Sequence, residues 1–435
     1  MARFLLAFAL LAVAATSWAN VETPKVFCYY DSRSYVRETQ AKMLPQDMDP
    51  ALSYCTHLIY GYASIAHDTH KLVALNPNLD LDQGHGNYRV VTQMKRKFPQ
   101  LKVLLSVGGG ADNEEPEKYN TLLESPEART AFISSASVLL RNYGFDGLDL
   151  AWQFPVIKPK KIRGTFSSIW HGIKKTFSSK VVDEKSEEHR DQFTKLVQET
   201  KNALRHDNML LTATVIPNVN SSLYFDTHAI MNNLDYVILD GYDYNTPMRN
   251  PKEADYTAPL YELLERNPEL NINFLVTWWL KNGFPNSKLI LSMPSFGRAW
   301  KLDSDSAISG VPPLHTDGVA PEGPYTKHAG LLSYPEICTK LQNPSNAKGI
   351  HTHLRKVTDP SKRYGTYAFR VPDDNGDGGM WVSYEDPDTA GNKAGYVRAK
   401  GLAGIAVNDL SLDDFRGLCT GDKFPILRAA KYRLE

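Results

Sequence analysis

Residues 145–155 read Phe-Asp-Gly-Leu-Asp-Leu-Ala-Trp-Gln-Phe-Pro. Such an alternating run is a strand whose side chains point to opposite faces in turn. One face takes Asp146, Leu148, Leu150 and Trp152, and the other takes Gly147, Asp149, Ala151 and Gln153. The second row starts as a row of carboxylates and stops after Asp149. Ala151 and Gln153 stand where further ionisable groups would complete it. Any proton-transfer chemistry at this strand turns on those two positions.

Around this stretch, short apolar runs rich in Val, Ile, Leu and Tyr recur between turn residues. Residues 26–30, 57–64, 102–107, 145–152, 210–216, 236–239, 288–293 and 403–407 read as buried strands. Between them, residues 88–97, 129–142, 190–204 and 390–400 carry helical spacing. Strand and helix in alternation predict a parallel sheet, and eight strands predict a closed (β/α)8 TIM barrel. The alternative, an open doubly wound sheet, lacks its phosphate loop: Ser106-Val107-Gly108-Gly109-Gly110 does not have the G-x-G-x-x-G spacing.

Two segments interrupt the rhythm. After the fourth strand, residues 156–182 hold seven Lys or Arg and no acid, within a basic insertion of about residues 156–187. Phe166, Ile169, Trp170, Ile173 and Phe177 recur there at helical spacing. Such a segment is a loop whose short helix docks on the barrel, or a surface for a partner or an anionic glycan. The second segment, residues 300–379, is rich in Gly, Pro, Asp and Ser and reads as a small inserted α+β domain. The barrel then takes residues 20–299 and 380–435.

At 435 residues with 42% hydrophobic content, the chain can bury a large core. Its formal charge of zero gives no overall bias toward nucleic acid or acidic membranes. Arg3, the apolar run 4–15 and the small residues Ser17 and Ala19 predict a signal peptide over residues 1–19, and with it secretion. No later stretch is long and apolar enough to span a membrane. The four cysteines suit an oxidising compartment; of the three possible pairings, the local one joins Cys28 to Cys55 and Cys338 to Cys419. No metal site or cofactor is expected, because no Cys-x-x-Cys or histidine cluster accompanies them. Asn220-Ser221-Ser222 is a glycosylation sequon.

The run 145–155 resembles the catalytic strand of family-18 chitinases, Asp-Gly-x-Asp-x-Asp-Trp-Glu-x-Pro. Leu105-Ser106-Val107-Gly108-Gly109 is similar to that family's third-strand motif, and Asp240-Gly241-Tyr242-Asp243 to its Met-x-Tyr-Asp. Ser295-Phe296-Gly297-Arg298 is similar to its Tyr-Gly-Arg, and Asp413-Asp414-Phe415 to its ending. The resemblance implies substrate-assisted hydrolysis in the family: a glutamic acid protonates the leaving oxygen, and an aspartate two positions earlier steadies the charged ring. Here those places hold Gln153 and Ala151. An amide has no acidic proton to give and a methyl group no charge. Losing general acid catalysis alone forfeits about 10²–10⁴ in rate. Asp146 and Asp149 are retained, set back as supports of the strand.

By the same resemblance, a ligand cleft would draw on Tyr30, Trp152, Gln153, Tyr242, Asp243, Phe296 and Arg298, with Tyr242 and Asp243 gripping an N-acetyl group. Trp152 reads more readily as core packing of a buried strand. The family's tryptophan platform aligns with Asn408, and its strand-six methionine with Asp240. These departures resemble the imaginal disc growth factors, a branch of insect chitinase-like proteins. Cys28-Tyr29-Tyr30-Asp31-Ser32, Pro217-Asn218-Val219-Asn220-Ser221 and Pro251-Lys252-Glu253-Ala254-Asp255-Tyr256 carry that closer similarity. What it implies is a secreted, non-enzymatic growth factor. It would promote proliferation, polarisation and motility through an unknown cell-surface receptor, in cooperation with insulin. The alternative is a chitin- or glycan-binding lectin that organises matrix or cuticle; an active hydrolase using displaced acids is a third.

Overall fold

All eight apolar runs form strands in the computed structural model, which describes residues 23–156, 183–306, 308–342, 353–374 and 378–435. The expected leader and residues 157–182 of the basic insertion lie outside the described residues. The strands are β1 (Lys25–Asp31), β2 (His57–Ile65), β3 (Lys102–Gly108) and β4 (Gly147–Ala151), then β5 (Leu210–Val215), β6 (Tyr236–Asp240), β7 (Leu289–Pro294) and β8 (Gly404–Asn408). Each pairs in parallel with its neighbour, and β1 pairs with both β2 and β8, which closes the barrel. The fold is a (β/α)8 TIM barrel.

Both faces of these strands are buried, so the runs are apolar throughout. Phe27, Tyr29, Ile59, Leu104, Ile238, Ile290 and Ala406 fill the barrel interior as one cluster. The opposite faces, including Tyr30, Leu148, Leu150 and Trp152, join the larger core. Helices flank the barrel at Pro126–Tyr143, Ser186–Leu204 and Pro387–Ala399, among others. Two of them start three residues earlier than periodicity predicts, because capping rather than apolar spacing sets the boundary. Ser125 caps the first through a bond from the Ala128 amide of 3.1 Å, and Asp386 caps the last through one of 2.8 Å from the Thr389 amide.

β7 runs almost directly into a second sheet. Its antiparallel strands lie in the order Leu331–Ser333, Phe296–Lys301, Met380–Tyr384, Thr366–Arg370 and Arg355–Thr358, with the helix Tyr334–Leu341 beside them. This sheet therefore extends a few residues beyond the interval 300–379 at each end. The physical reason is continuity: only Ser295 separates Phe296 from the last residue of β7. The disulfides join Cys28 to Cys55 and Cys338 to Cys419. Among the described residues no helix is long and apolar enough to cross a membrane.

Candidate functional site

The carboxyl ends of β1, β3, β4, β6 and β8 meet at the mouth of the barrel, the face where such barrels place their chemistry. Asp149 sits just inside, fully buried. Its carboxylate accepts from Ser106 Oγ at 2.7 Å, Thr212 Oγ1 at 2.7 Å and Thr214 Oγ1 at 2.9 Å. Burial pushes its pKa up, and these three donors oppose the shift. Asp149 is thus fully engaged in holding β3, β4 and β5 together. Asp146 lies at the other end of the strand, where it accepts from the Val103 amide (2.8 Å) and pairs with Lys95 (3.0 Å).

Ala151 ends β4 beside Gly108, whose backbone lies in the left-handed region. A Cβ at Gly108 would come within 2.3 Å of the Ala151 carbonyl oxygen, so only glycine permits this approach. The chain after it turns into the segment Gly109–Ala111, and that turn meets Gln153. The Gln153 amide donates to the carbonyl oxygen of Gly109 and, at 3.4 Å, approaches that of Asp112. Asp112 is itself fixed by Lys118 Nζ (2.8 Å), Tyr119 OH (2.6 Å) and Ser64 Oγ (2.8 Å). An acceptor-only carboxylate at position 153 would face carbonyl oxygens and have nothing to donate. The amide suits this pocket and an ionised acid does not.

Across the mouth, Tyr242 OH accepts from Asn408 Nδ2 at 2.9 Å, and its ring packs edge-on to Phe296 at 5.8 Å. Asn408 therefore supplies no stacking platform and also engages the tyrosine hydroxyl. Asp243 is gripped by Arg298 through a two-pronged pair of 2.8 and 2.6 Å, and the guanidinium stacks on Phe296 at 4.8 Å. Asp240 is buried, and among the described residues its Oδ1 has no hydrogen-bond partner. Burial raises its pKa to about 7, with the nearby Asp149 adding to the shift against Ser292 and Tyr242. Asp409 is pushed up to about 6, by burial and then by Asp31.

Gln153, Tyr242, Asp243, Phe296 and Arg298 thus line or back the mouth. Tyr30 and Trp152 do not, and their expected place in the cleft is corrected. Tyr30 is 0% exposed, faces the helices and donates to the Met43 carbonyl at 3.0 Å. Trp152 is 1% exposed and packs among Tyr119, Phe132 and Phe193. The residues that sequence reasoning missed are Tyr62, Asp112, Asp31 and Asp409. Tyr62 packs against Gly109, where an added Cβ would come within 2.5 Å of the ring. The run Gly108-Gly109-Gly110 signalled a close approach, but nothing in it named the partner. Asn220 caps the short helix Ser221–Tyr224, its Oδ1 accepting from the Ser222 amide at 3.0 Å. Among the described residues no group of three or more His, Cys, Asp or Glu is placed to hold a metal ion.

A closed parallel barrel with polar groups gathered at the carboxyl ends of its strands defines an enzyme-type (β/α)8 protein, here with an amide in place of an acid. The chain belongs to the glycosyl hydrolases family 18, whose pattern matches residues 25–413. It is 63% identical over 435 residues, all of both chains, to Chitinase-like protein EN03 of Bombyx mori. It is 52% identical to Imaginal disk growth factor 6 of Drosophila melanogaster, over 98% of each chain. Among solved structures, it resembles a mutant of Group II chitinase catalytic domain 2 from Ostrinia furnacalis in complex with penta-N-acetylchitooctaose. That likeness has a TM-score of 0.78 at 30% identity, covering 95% of this chain and 97% of the other.

Proposed function

We propose that this protein is a secreted, non-enzymatic growth factor built on a chitinase barrel. It promotes proliferation, polarisation and motility of cells through a surface receptor, in cooperation with insulin. The observation that carries the non-enzymatic part is the Gln153 amide, bonded to the Gly109 carbonyl where a proton donor would have to stand. Ala151 removes the neighbouring charge, and Asn408 removes the stacking surface while engaging Tyr242. The signalling part draws support from the similarity to the imaginal disk growth factor of Drosophila melanogaster. Secretion draws support from the leader sequence and the two disulfides. Purified protein lacking residues 1–19, applied to cultured insect cells with and without insulin, is expected to stimulate growth. It is expected to release no reducing ends from chitin oligomers. Reducing-end release abolished by Asp149→Asn would overturn the non-enzymatic reading, and unstimulated cells the signalling one.

A second reading, glycan binding without turnover, is favoured by one observation. Tyr242 and the Asp243–Arg298 pair remain assembled at the mouth. The Ostrinia furnacalis domain of similar fold was solved with a chitooligosaccharide. Saturable binding of N-acetylglucosamine oligomers that weakens in Tyr242→Phe would establish it. Absence of saturation would dismiss it.

A further inference from the structure

Away from the barrel mouth, a cavity of about 280 Å³ lies between the inserted sheet and the helix Pro387–Ala399. Lys362 and Tyr364 form one side, Asp388, Asn392 and Lys393 the other, and Leu260 of the β6–β7 connection a third.

Both main walls are fixed in advance. The hairpin loop joining Arg355–Thr358 to Thr366–Arg370 is wrapped around the Asp359 carboxylate. That group accepts from the amides of Ser361, Arg363 and Tyr364, each at 2.8 Å. Burial opposes these bonds, yet together they hold the Asp359 pKa below its ordinary value. The loop is also tied to the barrel, through the Tyr261 amide on the Arg363 carbonyl at 2.9 Å. The helix opposite begins in a complete cap at Asp386. Lys393 is 2% exposed and is neutralised by its buried partner Glu385, so it contributes shape rather than net charge.

What remains is a set of unengaged polar groups turned on one space. The side chains of Lys362, Asp388 and Asn392 and the Tyr364 hydroxyl make no hydrogen bond among the described residues. They offer both donors and acceptors, Lys362 against Asp388, beside a tyrosine ring and a leucine, and Arg363 also lines the space with its guanidinium over the Tyr261 ring at 4.8 Å. We propose that this cavity is a binding site for a single sugar ring of a glycan, distinct from the barrel mouth. Its mixed lining matches a neutral polyhydroxylated ring, which presents donors and acceptors around its edge and an apolar face to an aromatic side chain. Its volume is at the lower end for ligand pockets, about 300 Å³ upward, which fits one ring and not an extended chain. A charged ligand gains less here, because Lys362, Arg363 and Asp388 are exposed and screened by salt. Rigid walls reduce the ordering cost of binding.

The test is saturation-transfer NMR on the mature protein with glucose, mannose, N-acetylglucosamine and its dimer, each as a separate probe. Affinity for at least one is expected in the range of about 1 mM. Asn392→Ala and Tyr364→Ala are each expected to weaken it about tenfold, the loss of roughly 1.4 kcal/mol. Tyr242→Phe at the barrel mouth should leave the part of the transfer that Asn392→Ala removes unchanged. Lys362→Ala, at an exposed position, serves as a third variant whose folding is not at risk. Loss of the signal in Tyr242→Phe alone would overturn the proposal by moving the site to the mouth. So would no transfer from any sugar, or displacement of the sugar by glycylglycine at lower concentration.

Discussion

Replacing Gln153 by glutamic acid tests the site directly, since it restores the one atom type that proton donation requires. In the folded protein the Gln153 amide donates to the Gly109 carbonyl. The substitution deletes that bond, worth about 1 kcal/mol, and leaves the carbonyl short of a donor at a further cost of about 1–3 kcal/mol. Gln153 is half-buried, so water relieves part of this penalty. A loss of about 2 kcal/mol near neutral pH is the working figure. The sign with pH follows from the surroundings. Facing carbonyl oxygens, the introduced carboxyl has a folded pKa raised above its unfolded value of about 4.3. Protonated, it donates as the amide did, so the variant keeps its stability below about pH 4 and loses it as pH rises through the raised pKa. Urea unfolding of both proteins at about pH 4, 5.5 and 7.5 measures this, with the deficit expected to widen upward. A constant difference at all three, or a variant more stable at the highest, would refute the account of Gln153.

Three further expectations concern the same frame. Ala151→Asp combined with Gln153→Glu should still release no more reducing ends than background, because Asn408 holds Tyr242 and offers no stacking face; turnover rising above background would show that only the acids were lost. Asp149→Ala should cost about 3–5 kcal/mol in urea unfolding, since it strands the hydroxyls of Ser106, Thr212 and Thr214 without their acceptor. A cost under about 1 kcal/mol would mean those hydroxyls find other partners. Asp240, raised to about 7, and Asp409, raised to about 6, bind protons in the folded chain that the unfolded chain has already released. Their contribution to stability is complete below about pH 4 and falls as pH rises through 6 and 7, and Asp240→Asn should flatten that fall.

The barrel was legible because parallel strands buried on both faces produce apolar runs that nothing else in this chain imitates. The same property hid which face looked inward. Tyr29 and Tyr30 are equally apolar neighbours on β1, yet Tyr29 bonds to Thr214 inside the barrel at 2.9 Å and Tyr30 to Met43 outside it. Alternation placed Trp152 opposite Asp149 and Gln153, which agrees with its packing against the helices. Its presence in the catalytic-strand motif nevertheless drew it into the cleft. The engagement of Gln153 was not legible at all, since its partner is backbone from another strand's loop and no side chain announces it. The bond from Asn408 to Tyr242 joins positions 166 residues apart and could be read only after folding.

The Cys338–Cys419 bond has a consequence for the durability of the molecule. It ties the helix of the inserted domain to the segment that follows β8, enclosing a stretch with a sequence separation of 81. The strand that closes the barrel against β1 lies within that stretch. A protease cutting the chain anywhere between the two cysteines yields two pieces that remain one covalent object, with β8 still bonded along both edges. A nicked molecule is then expected to run intact on a gel until thiol is added, and to keep its barrel in fluids where a chain without the bond would come apart.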